Sequence, residues 1–269
     1  MSSEIIYKFE NNIATIRVNR PEARNALNWA AQEAFAAAVT AVSQTPAIRA
    51  LIITGTGQQA FVAGGDLKEL SQNPDRAAGE RLNRIMSQAL AQMAKLPMPV
   101  IAAINGDAFG GGCEIITACD LRMAAAHAQF SFAQVKVGLT TGWGGTKRLV
   151  HLIGQSRAMD LLLTARTFDA KEAYRLGFVH RLVPPNDDVH AAARSWATQL
   201  TQLPYDALAA TKALILNSYN HSLHEENSER EAFLKLWAQP DHLEALAAFN
   251  EKRSPIFLTT NNQQPTTNN

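Results

Sequence analysis

The residues best suited to chemistry lie in one short stretch, Asn105–Glu114, which reads NGDAFGGGCE. An apolar run, Pro99–Ile104 (PVIAAI), precedes it and reads as a buried strand; IITACD follows it and reads as a short helix. Consecutive glycines at a strand-to-helix junction let the backbone approach a ligand closely, because no Cβ intervenes. The first N–H groups of a helix have no intrahelical partner and carry the positive end of the dipole. Such a junction suits a negatively charged oxygen. Glu114 sits immediately beyond it, so an anion-stabilising backbone stands beside an acid/base group.

A second glycine turn, Phe61–Leu67 (FVAGGDL), follows another strand-like run. Taken alone it reads equally as a plain loop. Taken with Gly110–Gly112 it supplies a second backbone donor. Two N–H groups from separate loops form an oxyanion hole for a thioester enolate or tetrahedral oxyanion, and each donor is worth about 3–4 kcal/mol in the transition state. Glu114 could be a solvated glutamate favoured by the helix dipole. Its neighbours Ile115 and Ile116 point instead to a partly buried helix, where an idle carboxylate is costly. Trp143 either walls a pocket or belongs to the core. His127 and His151 have no partner readable from sequence and are assigned structural or surface roles. Gly55–Ala60 (GTGQQA) nearly matches a dinucleotide fingerprint, with Asp75 at a suitable distance. That motif requires a helix to start at once; here the chain runs into FVAGGD, and the dinucleotide reading is set aside.

These residues need a scaffold of strands and helices. Ile13–Val18 alternates as a half-exposed strand does, Ile48–Thr54 and Val100–Ile104 read as buried strands, and Leu121–Ala125 as another. Asn25–Val42 and Arg81–Leu96 read as helices, the second ended by Pro97 and Pro99. Gln129–Val137 is extended in character and leads into the loop Gly138–Gly145. From Thr146 to Asn250 the pattern is mainly helical, and 259–269 is a polar tail with a disordered composition. The strand–helix alternation followed by helices indicates an α/β core. The 269 residues, 46% hydrophobic and 18% charged, suffice for a sizeable core. A net charge of +1 gives no support to nucleic-acid or membrane-surface binding. No apolar run reaches the roughly 20 residues of a membrane span, and the charged start MSSEIIYKFENN is not a secretory signal. Cys113 and Cys119 form no disulfide framework, which fits a reducing cytoplasm, and without histidines at zinc spacing they suggest no metal.

Six motifs, in order, resemble the crotonase (enoyl-CoA hydratase/isomerase) superfamily: NRPEARNAL at 19–27, FVAGGDLKEL at 61–70, NGDAFGGGCEIITACDLRMA at 105–124, GLTTGWGGTKRL at 138–149, FDAKEAYRLGFVHRLVP at 168–184 and AFNEKRSPIF at 248–257. The resemblance implies stacked ββα turns over residues 1–195, which carry an acyl-CoA site, and a helical region at 196–258 that mediates trimerisation, as a trimer or a dimer of trimers. The ligand it implies is an acyl-CoA thioester, with coenzyme A entering as part of the substrate and no separate cofactor. By motif position the oxyanion donors are the N–H groups of Gly65 and Gly111. Arg24 and Ala26 fall where the family contacts the CoA nucleotide; Ala63, Asp66 and Leu67 fall along the adenine and pantetheine path. Lys252 and Phe257 match C-terminal residues that reach a neighbouring subunit's ligand in some members.

One departure bears on the reaction. Family hydratases use two glutamates; the first aligns with Glu114, the second with Gln134. A carboxamide holds water or a carbonyl but does not deliver a proton as a carboxylic acid does. The resemblance therefore leaves several reactions open. One is hydration of an enoyl-CoA with Glu114 positioning or activating water. Another is decarboxylation of a malonyl-type acyl-CoA (methylmalonyl or ethylmalonyl), with GWGGTKRL similar to the corresponding loop of such members. Thioester hydrolysis is a third, and a catalytically weak acyl-CoA-binding homologue is the non-enzymatic alternative.

Overall fold

The computed structural model describes residues 3–72, 74–203, 205–217, 233, 234, 237 and 240–256. The tail expected at 259–269 and the site residue Phe257 lie outside these. The chain opens with an antiparallel pair, β1 (Ile5–Glu10) and β2 (Ile13–Val18), and then winds through three strand–strand turns. These are β3 (Ala50–Gly55) with β4 (Ala60–Val62), β5 (Val100–Ile104) with β6 (Asp107–Phe109), and β7 (Leu121–Ala125) with β8 (Gln129–Ser131). First strands stack on first strands and second on second, all parallel. The result is two sheets. One has six strands in the order β1-β2-β3-β5-β7-β10, closed by β10 (Arg181–Val183); the other has four in the order β4-β6-β8-β9, closed by β9 (Phe168–Asp169).

Period-two alternation divides the six-stranded sheet between two cores. Ala50 and Ile52 of β3, with Ile101 and Ala103 of β5, pack against α8 (Val189–Thr201) through Ala193, Trp196 and Ala197. Leu51 and Ile53, with Val100, Ala102 and Ile104, face the main core. There they meet α1 (Trp29–Ser43) and α3 (Arg76–Ala94), which pack on each other, and α4 (Gly111–Thr117). The other helices with both ends among the described residues are α2 (Leu67–Leu70), α5 (Gly145–Ile153), α6 (Gln155–Thr164), α7 (Ala170–Arg175), α9 (Tyr205–Asn217) and α10 (Pro240–Glu251). Among the described residues no helix is long and apolar enough to cross a membrane.

The sharp corners between paired strands are tied by buried amides. Asn105 donates to Gly57 O at 2.8 Å and Ala60 O at 3.0 Å and accepts from Gly55 N at 3.0 Å. Asn25 donates to Thr56 O and Ala60 O. This duty corrects the expected helix start. Asn25 sits in the left-handed region at φ 57°, and α1 begins only at Trp29, with Asn28 capping Ala31 N at 2.8 Å. Likewise α3 starts five residues earlier than expected because Asp75 caps Ala78 N, which also removes Asp75 from any ribose-binding role. No helix follows Gly55–Gln59; β4 begins at Ala60. The expected extended run Gln129–Val137 is a strand only to Ser131. It then tightens into a 3-10 turn, Ala133–Val137, ended by Gly138 at φ 71°.

Candidate functional site

The two glycine turns meet. The isolated parallel bridge between Leu27 and Gly65 uses Gly64 O as acceptor from Leu27 N (2.8 Å) and Asp66 N as donor to Leu27 O (3.0 Å). The Gly65 N–H therefore points away from Leu27. A Cβ on Gly64, itself at φ +95°, would lie 3.2 Å from Gly111 N, so the second turn runs directly under the first. The triple glycine has three separate causes. Gly110 adopts φ 52°, ψ −116°, a backbone region closed to L side chains. Any Cβ on Gly111 would strike the Trp143 ring, and any on Gly112 would strike Val62 O. Gly111 opens α4, so its N–H has no intrahelical acceptor. Among the described residues neither Gly65 N–H nor Gly111 N–H donates to another group.

Both glycines border one cavity of about 130 Å³, shared with Ala63, Leu67, Glu114, Gln134 and Trp143. Leu70 and Leu82 line it too. Glu114 is 2% exposed and is held by an unusual set of donors. Its Oε2 accepts from Trp143 N at 2.7 Å and Gly145 N at 3.1 Å; its Oε1 accepts from Gln134 Nε2 at 2.9 Å and, at a long 3.3 Å, from Gly142 N. The loop after Gly138 thus wraps its backbone donors around the carboxylate, and Asn83 fastens that loop by donating to Gly142 O. Each carboxylate oxygen offers two lone-pair sites. Both oxygens are thus held from the protein side, Oε2 by two backbone donors and Oε1 by the Gln134 amide and a longer backbone contact. Gln134 Oε1 is buried and has no hydrogen-bond donor among the described residues. The amide orientation follows from the network, since an oxygen turned toward Glu114 would set two acceptors against each other.

Other expected site residues are distributed as follows. Arg24, at φ 52°, turns outward to pair with Asp107 at 2.7 Å, while its carbonyl accepts from Ala63 N at 3.2 Å. Ala26 is buried, and its carbonyl accepts from Arg20. Asp66 precedes α2 and pairs with Arg20 at 2.9 Å; neither its carboxylate nor Arg24 borders the cavity that holds Glu114. Lys252 is exposed at φ 54° just after α10, away from the cavity. His127 is exposed on Gln58 O, and His151 lies on α5 outside the cavity. The thiols are buried, and burial pushes Cys119 up to about 12 and Cys113 higher still, so neither is a nucleophile near neutral pH. Sequence reasoning missed Phe233, Trp237, His242 and Leu246, which complete the cavity from the C-terminal region.

The family model described as enoyl-CoA hydratase/isomerase matches residues 8–260. The chain belongs to this family, within the crotonase superfamily. It is 39% identical over 254 residues to a probable enoyl-CoA hydratase of Mycobacterium bovis, covering 94% of this chain and 97% of that one. It is 36% identical over 256 residues to a crotonyl-CoA hydratase of Syntrophomonas wolfei, covering 95% and 98%. Among solved structures, the enoyl-CoA hydratase of Bacillus anthracis superposes with a TM-score of 0.78 at 33% identity, over 95% of this chain and 99% of that one. The chain is thus an α/β crotonase-fold member of an acyl-CoA enzyme family, as its motifs led one to expect.

Proposed function

We propose that this member hydrates an enoyl-CoA. The thioester oxygen is held between the N–H groups of Gly65 and Gly111, and the attacking water between Glu114 and Gln134. The observation that carries the proposal is the acceptor of Gln134 beside the Glu114 carboxylate. Gln134, bonded to Glu114 Oε1 through Nε2, presents a buried Oε1 with no donor among the described residues. A water that donates one O–H to that oxygen has a second to turn toward the neighbouring carboxylate. The glutamine that replaces the family's second glutamate then orients the water and carries no proton.

In the reaction the water oxygen bonds to C3 while Glu114 takes its proton. The C2=C3 pair shifts toward the thioester, whose oxygen becomes an enolate facing the two glycine donors. Glu114 returns the proton to C2, the enolate collapses, and a 3-hydroxyacyl-CoA results. Atoms and charge balance with water alone, so the proposal calls for no separate cofactor. The coenzyme A arm is assigned to the side of Ala63 and Arg24, whose backbones are bonded together. Exposed Leu214, Ile215 and Phe249 in the C-terminal region support self-association, proposed as a homotrimer or dimer of trimers.

A side-by-side assay tests the reaction: crotonyl-CoA and longer enoyl-CoAs for water addition, methylmalonyl-CoA and ethylmalonyl-CoA for CO2 release. Hydration of the first set is expected. Decarboxylation of the second without hydration of the first would overturn the proposal.

A further inference from the structure

The C-terminal region brings two polar rings to the lining of this cavity that hydration does not use. Trp237 and His242 border the same cavity as Glu114, and each is only 1% exposed. Their rings are neighbours, with centroids 5.1 Å apart. Space for the indole is provided by Gly79 of α3, where any Cβ would strike the Trp237 ring. His242 is fixed by a 2.7 Å bond between its Nδ1 and Val137 O. A carbonyl only accepts, so Nδ1 carries the proton, and Nε2 of the neutral ring is an acceptor. Burial holds the ring's pKa below the usual histidine range, consistent with that neutral form. Among the described residues neither Trp237 Nε1 nor His242 Nε2 has a hydrogen-bond partner.

A buried donor and a buried acceptor on adjoining rings ask for a ligand group that does both. An alkyl chain satisfies neither. A carboxylate only accepts and would set its charge against the Nε2 lone pair; an ammonium only donates and leaves the indole N–H unmatched. A hydroxyl is the smallest neutral group that meets both, and it suits a cavity of this size. We infer that the preferred acyl group carries a hydroxyl on the carbons remote from the thioester, received by Trp237 Nε1 and His242 Nε2. The inference deepens and rests on the acyl-CoA reading given above, and takes the cavity bordered by Gly65, Gly111 and Glu114 as the one that receives the acyl chain. Sites built to hydrogen-bond a substrate hydroxyl reject the analogue that lacks it far more strongly than apolar pockets discriminate by size.

The test pairs saturated acyl-CoAs that bind without turnover: butanoyl-, pentanoyl- and hexanoyl-CoA against their terminally hydroxylated counterparts, measured by titration calorimetry on the full chain. At least one hydroxylated member is expected to bind about 10-fold tighter than its plain partner, the worth of a well-made hydrogen bond to a buried group. In Trp237→Phe and His242→Phe that ratio is expected to fall toward one; because it is a ratio, a general loss of affinity cancels. Equal binding of every pair by the unaltered protein would show that the two atoms hold only a resident water, and would overturn the inference. So would a hydroxyl preference that survives both substitutions, while the unaltered protein's ratio decides the matter if either variant fails to fold. If hydroxyl-selective binding is found but the matching enoyl-CoAs are not hydrated, the hydratase reading falls and this assignment stands.

Discussion

The two walls of the cavity are made of different material. In one part, Gly65 and Gly111 offer backbone N–H groups from turns packed so closely that a Cβ on Gly64 would crowd Gly111 N and one on Gly112 would strike Val62 O. In the other, Trp237, His242 and Gln134 line the cavity with side chains, and each has one buried polar atom without a partner among the described residues. A backbone donor can be moved only by rebuilding a turn, whereas a side-chain donor changes with one codon. The difference suggests a division of labour: the glycine wall sets the class of intermediate that can be stabilised, and the side-chain wall sets which water or acyl group is accepted. Glu114 stands at the seam, rooted in the glycine helix and held by the backbone of the loop opposite.

The comparison can be broken most sharply at that seam. Glu114→Gln keeps the shape but removes the base, and kcat for hydration should fall by about 10²–10⁴-fold while acyl-CoA binding persists. An unchanged rate would mean that Glu114 merely anchors the loop. Next in size, Gly112→Ala drives a methyl into Val62 O and should cost about 3 kcal/mol of stability, read from denaturant unfolding. A neutral outcome would show the glycine wall to be plastic. On the side-chain wall, Gln134→Leu removes one bond to Glu114 and the second acceptor for water. A fall of about 10-fold in kcat, with the melting temperature nearly preserved, is expected; no change would deny Gln134 any part in holding water.

The smallest effect concerns pH. Burial lowers the pKa of His242 below its unfolded value of 6.5. The unfolded chain therefore binds a proton below about pH 6.5 that the folded chain refuses, and the stability associated with this group is lost as pH falls through that window. Thermal melting of His242→Phe should consequently decline less steeply below pH 6.5 than that of the unaltered protein, with parallel curves above it. Parallel curves throughout would mean that the imidazole titrates normally and is not the buried neutral acceptor described.

How much of this was legible in the sequence follows the same division. The glycine wall was readable because its signals are local. Three glycines between an apolar strand and a helix bring their conformational meaning with them, and strands β2, β5 and β7 have the bounds their apolar patterns indicated. Strands β4 and β6 passed unseen, since three residues are too few to show a period. Past Ser131 the apolar stretch tightens into a 3-10 turn that Gly138 ends, a tertiary outcome with no period-two signature. Asp66, which the motifs place along the ligand path, is paired with Arg20, a partner 46 residues away that no local pattern indicates. Trp237 and His242 could not be read at all. Their place in the cavity depends on where the C-terminal region docks against Gly79 and Val137, and nothing in the local pattern around them encodes that.

The central claim is that Glu114 and Gln134 deliver a water to C3 of an enoyl thioester held by the glycine wall. The most direct measurement is mass spectrometry of the product formed from crotonyl-CoA in ¹⁸O-labelled water, for the unaltered protein and Glu114→Gln at matched acyl-CoA saturation. The account predicts 3-hydroxybutanoyl-CoA carrying one solvent oxygen at C3, formed at least about 100-fold more slowly by the variant. Label appearing only in a released carboxylic acid would indicate thioester hydrolysis, and equal rates of C3 labelling in both proteins would remove Glu114 from the reaction; either result contradicts the account.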